Sequence, residues 1–274
     1  MASTKTYEPV GQCIYCCAGR DTKKLTDEHI VPFGLGGNLV LPRASCAKHA
    51  KHTSNIEGRA LRSAFGPLRV YLGLPTRRPR DRPKTITYTT TRGDQTEHRE
   101  LPPSKHPFVL AMWDFQKKPE LLLGDRSDNL GAAWVDILGP DLFPNDGTKV
   151  TSSGVTDSNV ISQLVAKIAH AYAATEFGHN HFRPLLIDLI FEQEKSKIIS
   201  LTNKLVGGIE NRQWPPASTN LHEISLEVRS INGRDLIVAT IRLCAFLGAP
   251  VYEIVVGEDP IAEFSAKRAI IERR

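Results

Sequence analysis

A chain of 274 residues, 41% of them hydrophobic, is long enough for one large or two modest domains with a sizeable core. It contains no run of about eighteen apolar residues and no apolar segment near its N-terminus, so we expect no transmembrane helix, no secretory signal and a cytoplasmic location. The net charge of +5 is uneven: residues 1–105 carry 18 Lys and Arg against 9 Asp and Glu, which suits a polyanion such as nucleic acid as well as simple solubility.

Cysteine spacing is the strongest local signal. Four of the five cysteines lie between residues 12 and 57, where two ligand pairs of the form Cys-x-x-Cys and Cys-x-x-His occur. This is the pattern of a structural zinc site, and it suits a reducing compartment better than a disulfide framework does. Cys17 and His52 stay open as replacements for their neighbours in the ligand set. We expect loss of a ligand to unfold the N-terminal region and to leave residues beyond 105 folded. The predicted ligands of Zn²⁺ are Cys13, Cys16, Cys46 and His49.

The segment between the two pairs predicts a short strand from Leu25 to Pro32, which carries Asp27-Glu28-His29. A Gly-rich loop and a second strand, Leu39 to Leu41, come next. A helix is predicted from about Ser45 to Phe65, with Ser45 as its N-cap. The predicted order of strand, loop, strand and helix is the order that a ββα-metal fold requires.

Residues 12–57 resemble the HNH endonucleases whose ββα-metal core is held by a zinc knuckle. The resemblance covers about the first sixty residues. It implies that His29 is the general base and that Glu28, with Asp27 in reserve, binds one catalytic Mg²⁺ or Mn²⁺. Asn38 corresponds to the family's middle Asn, which supports the base or shapes the loop.

The third family position is the departure from the pattern. It falls on Ala50, which cannot bind a metal ion. His52 is the preferred substitute because it follows His49 by three residues on one helix face, and Asn55 is the reserve. A site without either side chain would be weak or inactive.

A basic, proline-interrupted run follows the predicted helix, within a linker and hairpin that we place at residues 67–105. Such a run suits an arm lying along phosphates, or a solvated loop. The hairpin is predicted from Lys84 to Thr91 and from Gln95 to Leu101. The candidate nucleic-acid-binding residues are Arg77, Arg78, Arg80, Arg82 and Lys84.

Residues 106–274 predict a separate α+β domain. We expect strands at 107–115 and 132–138, a long helix at 157–177 with one apolar face, and a second helix at 184–194. An antiparallel meander follows, with a hairpin turned at Asn232-Gly233, a strand at 251–256 and a short terminal helix or tail at 262–274. Recognition, sensing and oligomerisation are candidate roles, and a homo-oligomer stays open.

The fold class is therefore predicted as α+β, with a zinc-stapled ββα-metal (HNH) core at residues 1–66 followed by that second domain. The function expected from the resemblance is metal-dependent hydrolysis of duplex DNA, in restriction or phage defence. The alternative is a catalytically inactive zinc module that binds nucleic acid or a protein, and Ala50 is its main support.

Overall fold

The chain was examined as a computed structural model that describes residues 4–17, 25–126, 131–138, 149–151, 157–209 and 215–259. These residues form a mixed α+β protein with several sheets and six helices. The predicted terminal helix at 262–274 lies outside the described residues. Within the described part of the chain, no helix is both long and apolar enough to cross a membrane.

The N-terminal unit contains a three-stranded sheet and one long helix. Strand β3 lies between the other two, parallel to β1 and antiparallel to β2. The loop between β2 and β3 requires glycine, because Gly36 has φ +82° and a Cβ at Gly37 would lie 2.0 Å from the carbonyl oxygen of Val31. The elements are β1 (Lys5–Thr6), β2 (Leu25–His29), β3 (Leu39–Cys46) and α1 (Ala47–Arg62).

The predicted order of strand, strand and helix is confirmed, but the predicted helix cap is wrong. Ser45 is a buried residue of β3, and Cys46 is the N-cap of α1, with no side-chain capping bond. The strand continues to Cys46 because its end pairs with Leu25 at the start of β2. A cysteine at the strand–helix junction has its thiol available for another purpose.

The middle of the chain is more ordered than a linker. Its first element is a short helix whose Leu68 is buried, and the predicted hairpin at residues 84–101 is confirmed. The predicted strands at 107–115 and 132–138 pair as an antiparallel ribbon. The elements are α2 (Gly66–Tyr71), β4 (Ile86–Arg92), β5 (Gln95–Leu101), β6 (Phe108–Phe115), α3 (Glu120–Leu123), β7 (Gly131–Leu138) and β8 (Lys149–Thr151), the last of which pairs with β4.

Helix α4 (Ser158–Ala173) is the central element, and a π-helical turn extends it to Gly178. Asp157 caps it by accepting a hydrogen bond from the backbone N–H of Asn159 at 3.0 Å. Every residue from Val160 to Ala173 is buried, so the helix is covered on all sides and not only along one apolar face. It therefore lies between other elements of the fold.

The predicted helix at 184–194 is wrong in its extent. Residues Arg183–Pro184 form strand β9, and the helix that follows, α5 (Ile187–Phe191), is short. The chain leaves the helix at Glu192 because Gln163 of α4 donates hydrogen bonds to the carbonyls of Leu189 and Glu192, at 3.1 and 2.8 Å. A buried side chain thus satisfies carbonyls freed at the helix end. The second longer helix is α6 (Lys195–Leu205).

The C-terminal sheet confirms the predicted antiparallel meander. Its order is β10-β13-β12-β11, and β9 also pairs with β13. Asn232 and Gly233 turn the β11–β12 hairpin with φ of 49° and 75°, the left-handed conformation that a tight hairpin turn needs. The strands are β10 (Val206–Gly208), β11 (His222–Ile231), β12 (Arg234–Leu243) and β13 (Val251–Glu258).

One hydrophobic core crosses the domain boundaries expected from the sequence. It joins Ile30 and Ile56 of the N-terminal unit to Leu164 of α4 and Tyr252 of β13. Helix α4 packs against both α1 and β13. A division at residues 66 and 105 stays a prediction about folding units, but the packing of the described residues runs across it.

Candidate metal centre and basic cleft

The predicted ligands Cys13, Cys16, Cys46 and His49 converge. Their ligand atoms all lie within 4.8 Å of one another, and none of the chain's five cysteines forms a disulfide. The Nδ1 atom of His49 lies 3.4 Å from Cys13 Sγ and 3.2 Å from Cys46 Sγ. Those separations are near the edge of about 3.5 Å that Zn–S and Zn–N bonds give a tetrahedron. The group could hold a metal ion, and three thiols with one imidazole suit structural zinc.

The chain positions this cluster through both flanking segments. The N–H of Ile14 donates to the carbonyl of Ala44 at 2.8 Å, which joins the first ligand pair to strand β3. His170 of α4 donates to the carbonyl of Ile14 at 2.9 Å, and Phe191 of α5 lies 4.5 Å from the His49 ring centroid. The cluster is therefore held by elements from both ends of the chain.

The electrostatics of the cluster favour a bound cation. Burial raises the pKa of the Cys13 thiol to about 11, so its thiolate needs a positive partner. Burial lowers the pKa of His49, which keeps the imidazole neutral and able to act as a ligand. Cys17 is exposed and belongs to no metal-ligand group among the described residues, so it is the spare thiol.

The end of strand β2 separates two neighbouring side chains. Successive residues of a strand point to opposite faces, and here Glu28 is buried while His29 lines a cleft of about 600 Å³. Burial lowers the pKa of His29, which keeps the imidazole neutral near pH 7. Neutral imidazole is the form that a general base requires.

Glu57 is the cleft residue that the sequence reasoning missed. It lies on α1 and lines the cleft together with His29, and its side chain is 19% exposed. Both Glu57 and Glu28 form ion pairs with Lys167 of α4, at 2.8 and 2.7 Å. Glu57 is the only acidic residue of α1, and that solitary carboxylate on a basic helix was the available signal.

The other predicted catalytic residues lie elsewhere. His52 donates a hydrogen bond from Nε2 to the carbonyl of Ile190 at 3.1 Å and packs on the ring of Phe191. Asp27 is exposed and accepts from the N–H of Arg43 at 3.1 Å. The side chains lining the cleft include none of the predicted residues Glu28, Asp27, Asn38, His52 and Asn55.

Arginines surround the cleft. Arg77 and Arg78 of the predicted basic arm line it and are exposed, as is Arg62 at the end of α1. Arg80 and Lys84 of the same arm are not among its lining residues. The arm is thus split between a cleft-facing part and an outer part.

Two arginines of the cleft also hold its walls. Arg69 donates to the carbonyls of Gly34 at 2.7 Å, Leu61 at 3.2 Å and Pro75 at 3.3 Å. Arg82 donates to the carbonyl of Leu74. These bonds join the loop after β2, the end of α1 and the segment after α2, so the cleft has a defined shape.

No protein-family model matches this chain, and neither does any curated protein or solved structure. The candidate site is therefore interpreted from its own geometry and from the resemblance of its motif.

Proposed function

We propose that this protein is a metal-dependent endonuclease of the HNH type, with a structural zinc at Cys13, Cys16, Cys46 and His49. The observation that carries the proposal is the meeting of His29 and Glu57 in one cleft surrounded by arginines. A general base, a carboxylate and several fixed positive charges are the groups that phosphodiester hydrolysis requires. The resemblance of residues 12–57 adds duplex DNA as substrate and a role in restriction or phage defence.

In the proposed reaction His29 accepts the proton of the attacking water. Arg62, Arg77 and Arg78 bind the phosphates on either side of the scissile bond and neutralise their charge. A divalent cation, Mg²⁺ or Mn²⁺, when held by Glu57, supplies the charge that stabilises the scissile phosphate and its leaving oxygen. Glu57 takes this role in place of Glu28 because only Glu57 lines the cleft.

The competing proposal is a zinc module that binds nucleic acid without cutting it. Its support is that His52 is engaged with Ile190 and Glu28 with Lys167, so two groups expected from the motif have other partners. The basic cleft serves this alternative equally well. Catalysis distinguishes the two.

Replacing His29 with Ala is expected to slow cleavage of supercoiled plasmid by about 10²–10⁴-fold in the presence of Mg²⁺ or Mn²⁺, because the general base is lost. Binding to DNA should change little, since the arginines remain. His98→Ala, an exposed histidine of strand β5, is the control and should cleave like the wild type. Wild-type protein that binds plasmid but cuts it with no divalent metal would establish the zinc module instead.

The two parts of the basic arm should differ in their contribution to DNA binding. Arg77→Ala with Arg78→Ala removes cleft charges and is expected to flatten the salt dependence of DNA affinity by about 0.9 in slope for each lost phosphate contact. The matched pair Arg80→Ala with Lys84→Ala removes the same charge outside the cleft and should have the smaller effect. Equal changes in slope for the two pairs would contradict a cleft-centred interface.

A further inference from the structure

Lys167 is the most unusual side chain near the candidate site. It lies in the middle of α4, and its side chain is 0% exposed. Its ammonium group lies 2.7 Å from Glu28 Oε1 and 2.8 Å from Glu57 Oε1. It also donates to the main-chain carbonyls of His29 and Ile30, the second at 3.3 Å. Two carboxylates and two carbonyls thus surround one buried positive charge.

This set of oxygen atoms is the kind of shell that a hard divalent cation takes in proteins. A buried ammonium is stable only when its partners are charged and well placed, and here two carboxylates meet that condition. Burial by itself would lower the pKa of Lys167, but Glu28 and Glu57 reverse the effect and raise it, so the group stays charged. The centre between the two carboxylates therefore already contains a cation that belongs to the chain.

We propose that Lys167 is a built-in cation of this site, which occupies the space between Glu28 and Glu57 and excludes a divalent metal from it. Glu28 then has no part in binding the catalytic metal, and Glu57 offers its carboxylate only from the cleft. Lys167 is a positioning residue, because it holds Glu57 on α1 and the end of β2 in one arrangement from a third element. Its effect on cleavage rests on the proposed nuclease function, whereas its competition with metal does not.

The competition can be measured on the zinc-loaded full chain without nucleic acid, with Mn²⁺ as the probe and electron paramagnetic resonance of free Mn²⁺ as the readout. Lys167→Met is expected to bind Mn²⁺ about tenfold or more tightly than the wild type, because two carboxylates become available to one ion. Adding Glu28→Gln to that variant should remove the gain. Gln163→Leu, which alters another buried polar residue of α4, should lose stability without gaining a site.

Lys167→Met that folds and binds Mn²⁺ no better than the wild type would overturn the proposal. A second variant covers the case in which Lys167→Met does not fold. Glu28→Gln in the otherwise unchanged protein should leave Mn²⁺ affinity unchanged, and weaker Mn²⁺ binding in this variant would also overturn the proposal. Because neither measurement uses DNA, absence of nuclease activity would leave both results interpretable.

The positioning role has its own readout in the cleavage assay. Lys167→Met should lower kcat by about tenfold or more while KM changes by less than about twofold, since Arg62, Arg77 and Arg78 still bind the substrate. Gln163→Leu serves again as the control, because a purely structural defect reduces the active fraction of both variants alike. Equal kcat losses per folded molecule in the two variants would reject a positioning role.

Discussion

Replacing Cys46 with Ser, or removing the proposed zinc with a strong chelator, is expected to unfold much of this protein. Structural zinc in small domains contributes about 10–16 kcal/mol of apparent binding free energy, and folded proteins are stable by only about 5–15 kcal/mol. Without the metal, a buried thiol at Cys13 and the strand–helix junction at Cys46 lose their common partner.

The unfolding should extend beyond the N-terminal unit. The sequence suggested that residues beyond 105 would stay folded, but His170 and Phe191 contact the metal-binding segment directly. Hydrogen exchange followed by mass spectrometry should therefore show loss of protection in α4 as well as in β2 and β3. Zinc release, measured with a chromogenic chelator, should precede the change.

Cys17→Ser is the matched control for Cys46→Ser. Cys17 is exposed and lies next to a ligand without being part of the described metal-ligand group, so its replacement should leave zinc content and melting temperature unchanged. Full thermal stability after complete zinc removal would show that the cluster is not structural. A loss of zinc in Cys17→Ser would show that the ligand set needs revision.

Lys167→Met is expected to lower the free energy of unfolding by about 3–5 kcal/mol, because it leaves Glu28 buried without its positive partner. Urea denaturation at neutral pH, with zinc present, is the measurement. Combining it with Glu28→Gln removes the unpaired charge and should recover part of the loss, whereas independent sites would give additive losses.

Surface ion pairs provide the comparison for this effect. Lys197 pairs with Glu194 at 2.7 Å, but both side chains are more than half exposed, so Lys197→Met should cost about 0–1 kcal/mol. A loss of similar size for Lys167→Met would mean that the buried triad contributes little to stability. Additive losses in the double variant would mean that Lys167 and Glu28 are not energetically coupled.

The metal cluster and the C-terminal hairpin were predictable because their signals are local. Each ligand pair is set by a two-residue spacing, so a turn or the start of a helix brings its members together. Asn232 and Gly233 adopt positive φ in the hairpin that they predict. The glycines after β2 are required by backbone conformation and contact, which residue type alone can indicate.

The cleft residues were harder to find because the decisive contacts are non-local. Spacing placed His52 on the correct helix, but whether its ring lies toward the cleft or toward α5 depends on where Ile190 and Phe191 pack. Lys167 was visible as a charged residue within an apolar helix. Nothing along the chain indicated that its partners would be Glu28 and Glu57.

Short-range spacing thus identified the metal ligands and His29 at the end of its strand, since covalent geometry restricts neighbours within a few residues of each other. Packing of α4 against α1 and β2 decided which carboxylate lines the cleft and which one is buried with Lys167. A buried charge must have its compensating partner within a few ångströms, and the only groups able to provide one came from a helix more than a hundred residues away.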